Sequence, residues 1–264
     1  MEIEDTRKNT VSDQGPAVPG HPQPPQEAYR HERALVRGRR IVATAAACLA
    51  GFTALMLAVL FLHPLALDVP ITLAIQAINF PAVDWLMVAV SAPGFVPWNF
   101  IVPGALILGL VVLRRFGEAL FLGLATVATA ADSLVKLLIQ RPRPTDALVH
   151  VVQNLPSYSF PSGHVTEYTL VFGFCFYLAF TLMPRGPARL IVLLLTGGLI
   201  ILIGPSRIWL GEHWASDVLG GYTLGFGLLL LVIWLYRRWE ARHLSHPDLP
   251  TGGGPAIIGS TAQR

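Results

Sequence analysis

Five runs of about 20 predominantly apolar residues, at 41–63, 117–138, 164–183, 188–207 and 215–236, constrain this chain more than any other feature. About 20 such residues are what an α-helix needs to cross the ~30 Å hydrocarbon core of a bilayer. No water is present there to satisfy backbone N–H and C=O groups, so runs of this length must be helical. Composition agrees: 53% of the residues are hydrophobic and 13% are charged, against about 25% charged in an average soluble domain. That excludes a soluble globular fold, a disordered chain, a collagen-like fibre and a disulfide scaffold. The two cysteines, Cys48 and Cys175, lie inside apolar runs without zinc spacing and read as small core hydrophobes.

A sixth span is shorter, running from Phe100 to Leu113 and extended back to 97 through Trp98, which sits at headgroup level. The segment from Asp68 to Ala92 is apolar but broken by Pro70, Asn79, Pro81 and Asp84, and reads as short interfacial helices. Out to Pro97 it is expected to lie over the site entrance as a lipid-facing collar. Residues 1–40 carry Pro16, Pro19, Pro22, Pro24, Pro25 and many charges, cannot offset the entropy of ordering, and read as a disordered tail. Their polar stretch is too long for a signal peptide, so the first apolar run stays as an anchor. Residues 41–244 form the expected six-helix domain, and 245–264, with Gly252, Gly253, Gly254 and Pro255, a flexible tail.

Charge placement supports six spans over seven, because Lys and Arg collect in cytoplasmic loops. Arg30, Arg33, Arg37, Arg39 and Arg40 precede the first span; Arg114 and Arg115 follow the second; Arg185 and Arg189 follow the fourth; Arg237, Arg238 and Arg242 follow the sixth. With six spans all of these face the cytoplasm, as do both termini. The net charge of +3 is thereby explained by membrane orientation, and no aromatic-and-basic strip suggests nucleic acid. Lys136, Arg141, Arg143 and Arg207 fall on the opposite side and need a special reason to be there.

The histidines supply one. Lys136 closes the third helix, Arg141 and Arg143 open the following loop, and that loop ends in Pro161-Ser162-Gly163-His164. The hairpin of spans four and five returns the chain to the same face at Ser206, Arg207, His213 and Asp217. A dianion could be held there by charge and directed donors. Ser162 and Gly163 begin a helix, so their N–H groups form an anion cradle. His213 and Asp217, four apart, are expected to share one helical face, the carboxylate orienting one ring nitrogen and leaving the other free to attack. His164 is then available as a general acid.

Asp132, four residues before Lys136, reads as a supporting ion pair. Glu167, one turn after His164, either favours the protonated imidazole or makes a helix-to-helix hydrogen bond. Arg141 either joins the site or only snorkels to the interface. His63 and His150 read as satisfied core residues, and Glu212 is given no role.

The arrangement resembles the type 2 phosphatidic acid phosphatase superfamily, which includes the vanadium-dependent haloperoxidases. Three parts carry the likeness: Lys136 followed after six residues by Arg143-Pro144; Pro161-Ser162-Gly163-His164; and Ser206-Arg207 followed after five residues by His213 and after three more by Asp217. A lone Pro-Ser-Gly-His turns up by chance, whereas three ordered parts do not.

The resemblance implies a six-helix bundle with the site at its extracytoplasmic end. It implies that Lys136, Arg143 and Arg207 bind phosphoryl oxygens with Ser162 and Gly163 as further donors. His213 would be phosphorylated with Asp217 behind it, while His164 protonates the leaving oxygen. It implies no metal and no cofactor, in keeping with the lack of Asp, Glu, His or Cys clusters at ligand spacing. The expected activity is a membrane lipid phosphatase acting on undecaprenyl diphosphate, phosphatidate, phosphatidylglycerophosphate or diacylglycerol diphosphate. A lipid phosphotransferase and a vanadate-dependent haloperoxidase are the alternatives on the same scaffold. A transporter is disfavoured, because the charges crowd one interface instead of lining the midplane.

Overall fold

The computed structural model describes residues 26–62, 65–78 and 80–244, which are helical throughout their regular parts and contain no strand. Nine α-helices follow in order among them: α1 (Gln26–Leu62), α2 (Asp68–Gln76), α3 (Pro81–Ser91), α4 (Trp98–Val112), α5 (Phe116–Ala128), α6 (Ala131–Ile139), α7 (Gly163–Leu182), α8 (Pro187–Trp209) and α9 (Ala215–Leu244). Five helical stretches are long and apolar enough to cross a bilayer, α5 and α6 counting together. A sixth arises if α3 and α4, bent by 67°, form one broken span. The fold is that of an all-α membrane protein. Its outer faces are apolar: Leu194, Leu195 and Ile201 of α8 are 66%, 61% and 71% exposed, a surface suited to lipid.

Two expectations change. The helix α1 starts at Gln26, so residues 26–40 are helical, not part of a disordered tail. The prolines of that region end at Pro25, and the Gln, Glu, Ala and Arg that follow are good helix formers. Residues 1–25, 245–264, His63 and Asn79 lie outside the described residues.

The run 117–138 is one candidate span, Phe116–Ile139, with a break between α5 and α6. Ala130 N–H and Asp132 N–H donate to the carbonyls three residues back, at Val127 and Thr129, and the Thr129 hydroxyl donates to the Thr126 carbonyl at 2.7 Å. These local bonds compete with the α-helical ladder and mark the break between α5 and α6.

Finally, α4 is 15 residues long, or about 22 Å at 1.5 Å per residue, too short to span alone. The 97–113 span reaches full length only if α3 and α4 count together. In the 68–97 segment Asp68, Thr72, Met87, Val90 and Ser91 are buried, while Leu73, Trp85 and Val96 are exposed.

At the centre stands α7, 61% of whose spanning window is buried against 17% for α8. One face packs Leu170, Phe174 and Leu178 against Phe121 and Leu122 of α5 and Leu229, Val232 and Tyr236 of α9. Another packs Val165, Tyr168 and Phe172 against Val90 of α3 and Ile203 and Ile208 of α8. The α7–α9 approach is close because α9 offers glycine at the crossing. A Cβ at Gly221 would stand 2.9 Å from Val165 Cβ, and one at Gly225 2.8 Å from Thr169 Cβ. Small residues four apart let two backbones meet in lipid, where packing replaces the hydrophobic effect as the driving force. The crossing lies near both N-termini, and there Ser162 N–H donates to the Asp217 carbonyl at 3.0 Å.

Pro205 interrupts α8 just before Ser206 and Arg207. It has no N–H for the Ile201 carbonyl. Tyr222 of α9 compensates: its hydroxyl donates to the Ile200 carbonyl at 2.6 Å, lies 3.3 Å from that of Ile201, and accepts from Gly204 N–H at 3.2 Å.

Candidate active site

The first turn of α9 organises the site. Trp214 caps the helix, Asp217 N–H donates to the Trp214 carbonyl, and the Asp217 carboxylate reaches back to Trp214 N–H at 2.9 Å. This is the reciprocal geometry of an acid three residues into a helix. The same carboxylate, fully buried, also accepts from the Ser159 hydroxyl and from Arg141, with which it forms an ion pair. Arg141 is itself buried and reaches onward to Asp68. It therefore braces Asp217 and does not snorkel.

His213 precedes α9, so turn geometry and not a shared helical face brings it to Asp217. Its Nδ1 stands 3.6 Å from the Asp217 Oδ2, an electrostatic distance beyond a hydrogen bond. Its Nε2 lies 3.2 Å from Nη1 of Arg143. A guanidinium can only donate, so this contact makes Nε2 the acceptor and leaves the ring proton on Nδ1. Burial above all, then the positive charges of Arg143, Arg207 and Lys136, holds the His213 imidazole well below its ordinary pKa; the Ser159 backbone opposes this.

Arg143 is held in place by the Ser157 carbonyl at 2.7 Å, the Ser157 hydroxyl at 2.8 Å and the Glu212 carbonyl. Burial lowers its pKa, with Asp217 pulling the other way. The backbone turn beneath it needs Gly211, at φ +67°, where a side chain would also strike the His150 carbonyl. His150 is exposed, not a core residue, and its backbone is paired on both sides by the Gln76 amide.

Arg207 is fully buried and ion-paired with Glu212. Its Nη1 donates to Ser91 Oγ at 3.1 Å, and its guanidinium lies 5.0 Å from the centre of the Phe95 ring. Ser206 beside it shares a 2.6 Å hydrogen bond with Ser91 and donates to the Met87 carbonyl. The turn between α3 and α4 thus forms one wall of the site. Phe95 also meets the His164 ring edge-on at 4.7 Å, and a Cβ at Gly94 would overlap that ring, 2.8 Å from its Nε2.

Lys136 pairs with Asp132 at 2.8 Å, and the pair abuts the start of α7. A Cβ at Gly163 would stand 2.6 Å from the Asp132 carboxylate and 2.9 Å from Lys136 Nζ. Glycine here admits an ammonium. The Ser162 N–H is not part of a free cradle, being spent on Asp217. The Ser162 hydroxyl, His164 Nε2 and His213 Nδ1 are among the buried groups without a hydrogen-bond partner among the described residues. Glu167 is half-buried on α7, one turn after His164.

Lys136, Arg143, Arg207, His164 and His213 thus lie in one electrostatic neighbourhood, backed by Arg141 and Asp217. Five further residues complete it that sequence reading passed over: Asp68, Ser91, Phe95, Ser159 and Glu212. Only Asp68 gave a signal, as an acid opening a long segment that contains no cation to balance it.

Residues 117–241 match the model of the PAP2 superfamily. That stretch is similar to the PAP2 family. It holds all three motif parts, whereas Asp68, Ser91, Gly94 and Phe95 lie outside it. The phosphatidylglycerophosphatase B of Bacillus subtilis is 35% identical over 126 residues, 47% of this chain and 56% of that protein. The decaprenylphosphoryl-5-phosphoribose phosphatase of Mycobacterium tuberculosis is 37% identical over 122 residues, 45% of this chain and 62% of that protein. The chain thus spans less than two thirds of either relative's length. Among solved structures, a transmembrane PAP2-type phosphatidylglycerolphosphate phosphatase from Bacillus subtilis superposes with a TM-score of 0.64 at 25% identity, covering 74% of this chain and 96% of that one.

Proposed function

We propose that this chain is a membrane phosphatase that removes the terminal phosphate of a lipid phosphate or diphosphate through a phosphohistidine on His213. The observation that carries the reading is the Arg143–His213 contact, which keeps a lone pair on Nε2 at the point where three cations meet. The two relatives named above are both phosphatases of lipid phosphates, which favours phosphatidylglycerophosphate and polyprenyl phosphates as substrates.

In the first step His213 Nε2 attacks phosphorus, the bond from phosphorus to the leaving oxygen breaks, and His164 gives that oxygen its proton. The Nδ1 proton stays on the ring, facing Asp217, which stabilises the positive phosphoimidazole. Lys136, Arg143 and Arg207 hold the equatorial oxygens, with the Ser162 hydroxyl and the Gly163 N–H as neutral donors. Arg207 then exchanges Glu212 for the phosphoryl group. In the second step water attacks phosphorus, gives a proton to His164, and the P–N bond breaks to release inorganic phosphate. The excess of Lys and Arg on the other loops supports cytoplasmic termini and a site at the extracytoplasmic face.

Detergent-purified protein in EDTA is expected to release phosphate from phosphatidylglycerophosphate, and His213→Ala to abolish it. No release from this or any polyprenyl or diacylglycerol phosphate, or release undiminished in His213→Ala, would overturn the reading.

A further inference from the structure

Among the described residues, the buried acid that lies outside the 117–241 stretch is Asp68, at the start of α2 and 3% exposed. Its carboxylate forms an ion pair with Arg141 Nη2, accepts the Ser216 N–H at 2.9 Å, and accepts the Ser216 hydroxyl at 2.8 and 2.9 Å. Arg141 Nη1 donates to the Ser216 hydroxyl at 2.7 Å and to Asp217. One guanidinium therefore lies between two carboxylates, one of which stands behind His213. Asp68 also satisfies a first-turn N–H of α9, a donor with no partner in its own helix. At its other end α2 is fixed by Gln76, whose amide donates to the His150 carbonyl at 2.6 Å and the Trp209 carbonyl at 3.0 Å.

We infer that Asp68 is a positioning residue for the reaction, acting through Arg141 to set where Asp217 and the start of α9 stand behind His213. The physical reason is charge sharing. With Asp68 present, Arg141 is neutralised from both sides and Asp217 keeps its second oxygen for Trp214 N–H, Ser159 and the field on His213. Without it, the whole guanidinium charge falls on Asp217, and α9 loses a capping partner. The displacement needed is small, since about 1 Å of misplacement costs about a hundredfold in rate. The inference rests on the phosphatase reading for its kinetic arm and on the site geometry alone for its binding arm.

The test compares wild type, Asp68→Asn, Arg141→Gln and the double variant in detergent. It uses turnover of phosphatidylglycerophosphate and, independently, orthovanadate affinity from vanadium NMR. Asp68→Asn is expected to lower kcat by about tenfold to a hundredfold with KM within about twofold, and to weaken orthovanadate by about tenfold or more. Because the two residues act in series, the double variant is expected to match Arg141→Gln within about twofold. Ser216→Ala keeps the ion pair and removes the bridging hydroxyl; it is expected to lower kcat by about threefold or more, and it decides the matter if Asp68→Asn does not fold. An unchanged kcat and orthovanadate affinity, a change in KM alone, or losses that multiply in the double variant would overturn the inference. A wild type that releases no phosphate overturns the phosphatase reading instead, and orthovanadate binding then still decides the role of Asp68.

Discussion

Nη1 of Arg143 stands 3.2 Å from Nε2 of His213, and this one contact orders the two nitrogens of the ring. It has a consequence in pH. Burial and three cations hold the His213 imidazole well below its ordinary pKa, so the neutral, nucleophilic form persists as pH falls through the usual histidine range and is lost only below it. Arg143→Gln removes the nearest of those charges, raises the His213 pKa, and is expected to move the acid limb of kcat/KM to higher pH, alongside a lower plateau. A pH–rate profile of the residual activity checks both the direction and the wild-type limb.

The ammonium of Lys136 reaches the start of α7 because residue 163 has no side chain. Gly163→Ala is expected to push the Asp132–Lys136 pair away and lower kcat/KM by about tenfold to a hundredfold. Phosphate-release kinetics beside a thermal melt distinguish this from global damage, since an alanine at the first position of a helix is otherwise tolerated.

His164 carries a buried Nε2 without a partner among the described residues and is wedged between Gly94 and Phe95. As general acid it matters most where the leaving oxygen is basic. His164→Gln is expected to slow an alkyl phosphate by about 10²–10⁴-fold and p-nitrophenyl phosphate far less. Gly94→Ala, which displaces the same ring, is expected to show the same ordering of leaving groups. Equal losses on both substrates would remove His164 from the acid role.

Much of this architecture is legible in the sequence for a simple reason: hydrocarbon demands about 20 apolar residues per helix, and α7, α8 and α9 announce themselves by length. The hairpin of α7 and α8 likewise forces Ser162 and His213 to one end. Local chemistry hid the rest. The hydroxyl of Thr129 marks the break between α5 and α6 inside a run apolar enough to count as one span. Pairing across long stretches of chain is also invisible to periodicity. Asp68 finds Arg141, and Arg207 is shared between Ser91 at the end of α3 and Glu212, which a helical projection would point away. His213 falls just outside the helix that its spacing to Asp217 suggested, because Trp214 takes the capping position.

The Tyr222 hydroxyl donates to the Ile200 carbonyl and lies 3.3 Å from that of Ile201, which Pro205 leaves without its donor. Tyr222→Phe is expected to cost about 0.6–2 kcal/mol of stability, the range for a hydrogen bond between helices in a membrane. A lower melting temperature in detergent with the orthovanadate affinity retained is the expected pattern.

The most direct test is rapid quenching of purified protein during turnover of a lipid phosphate labelled in its terminal phosphoryl group. The account predicts an acid-labile, base-stable phosphoramidate on His213, absent from His213→Ala. A wild type that hydrolyses the substrate without label on protein, or label that persists in His213→Ala, would contradict it.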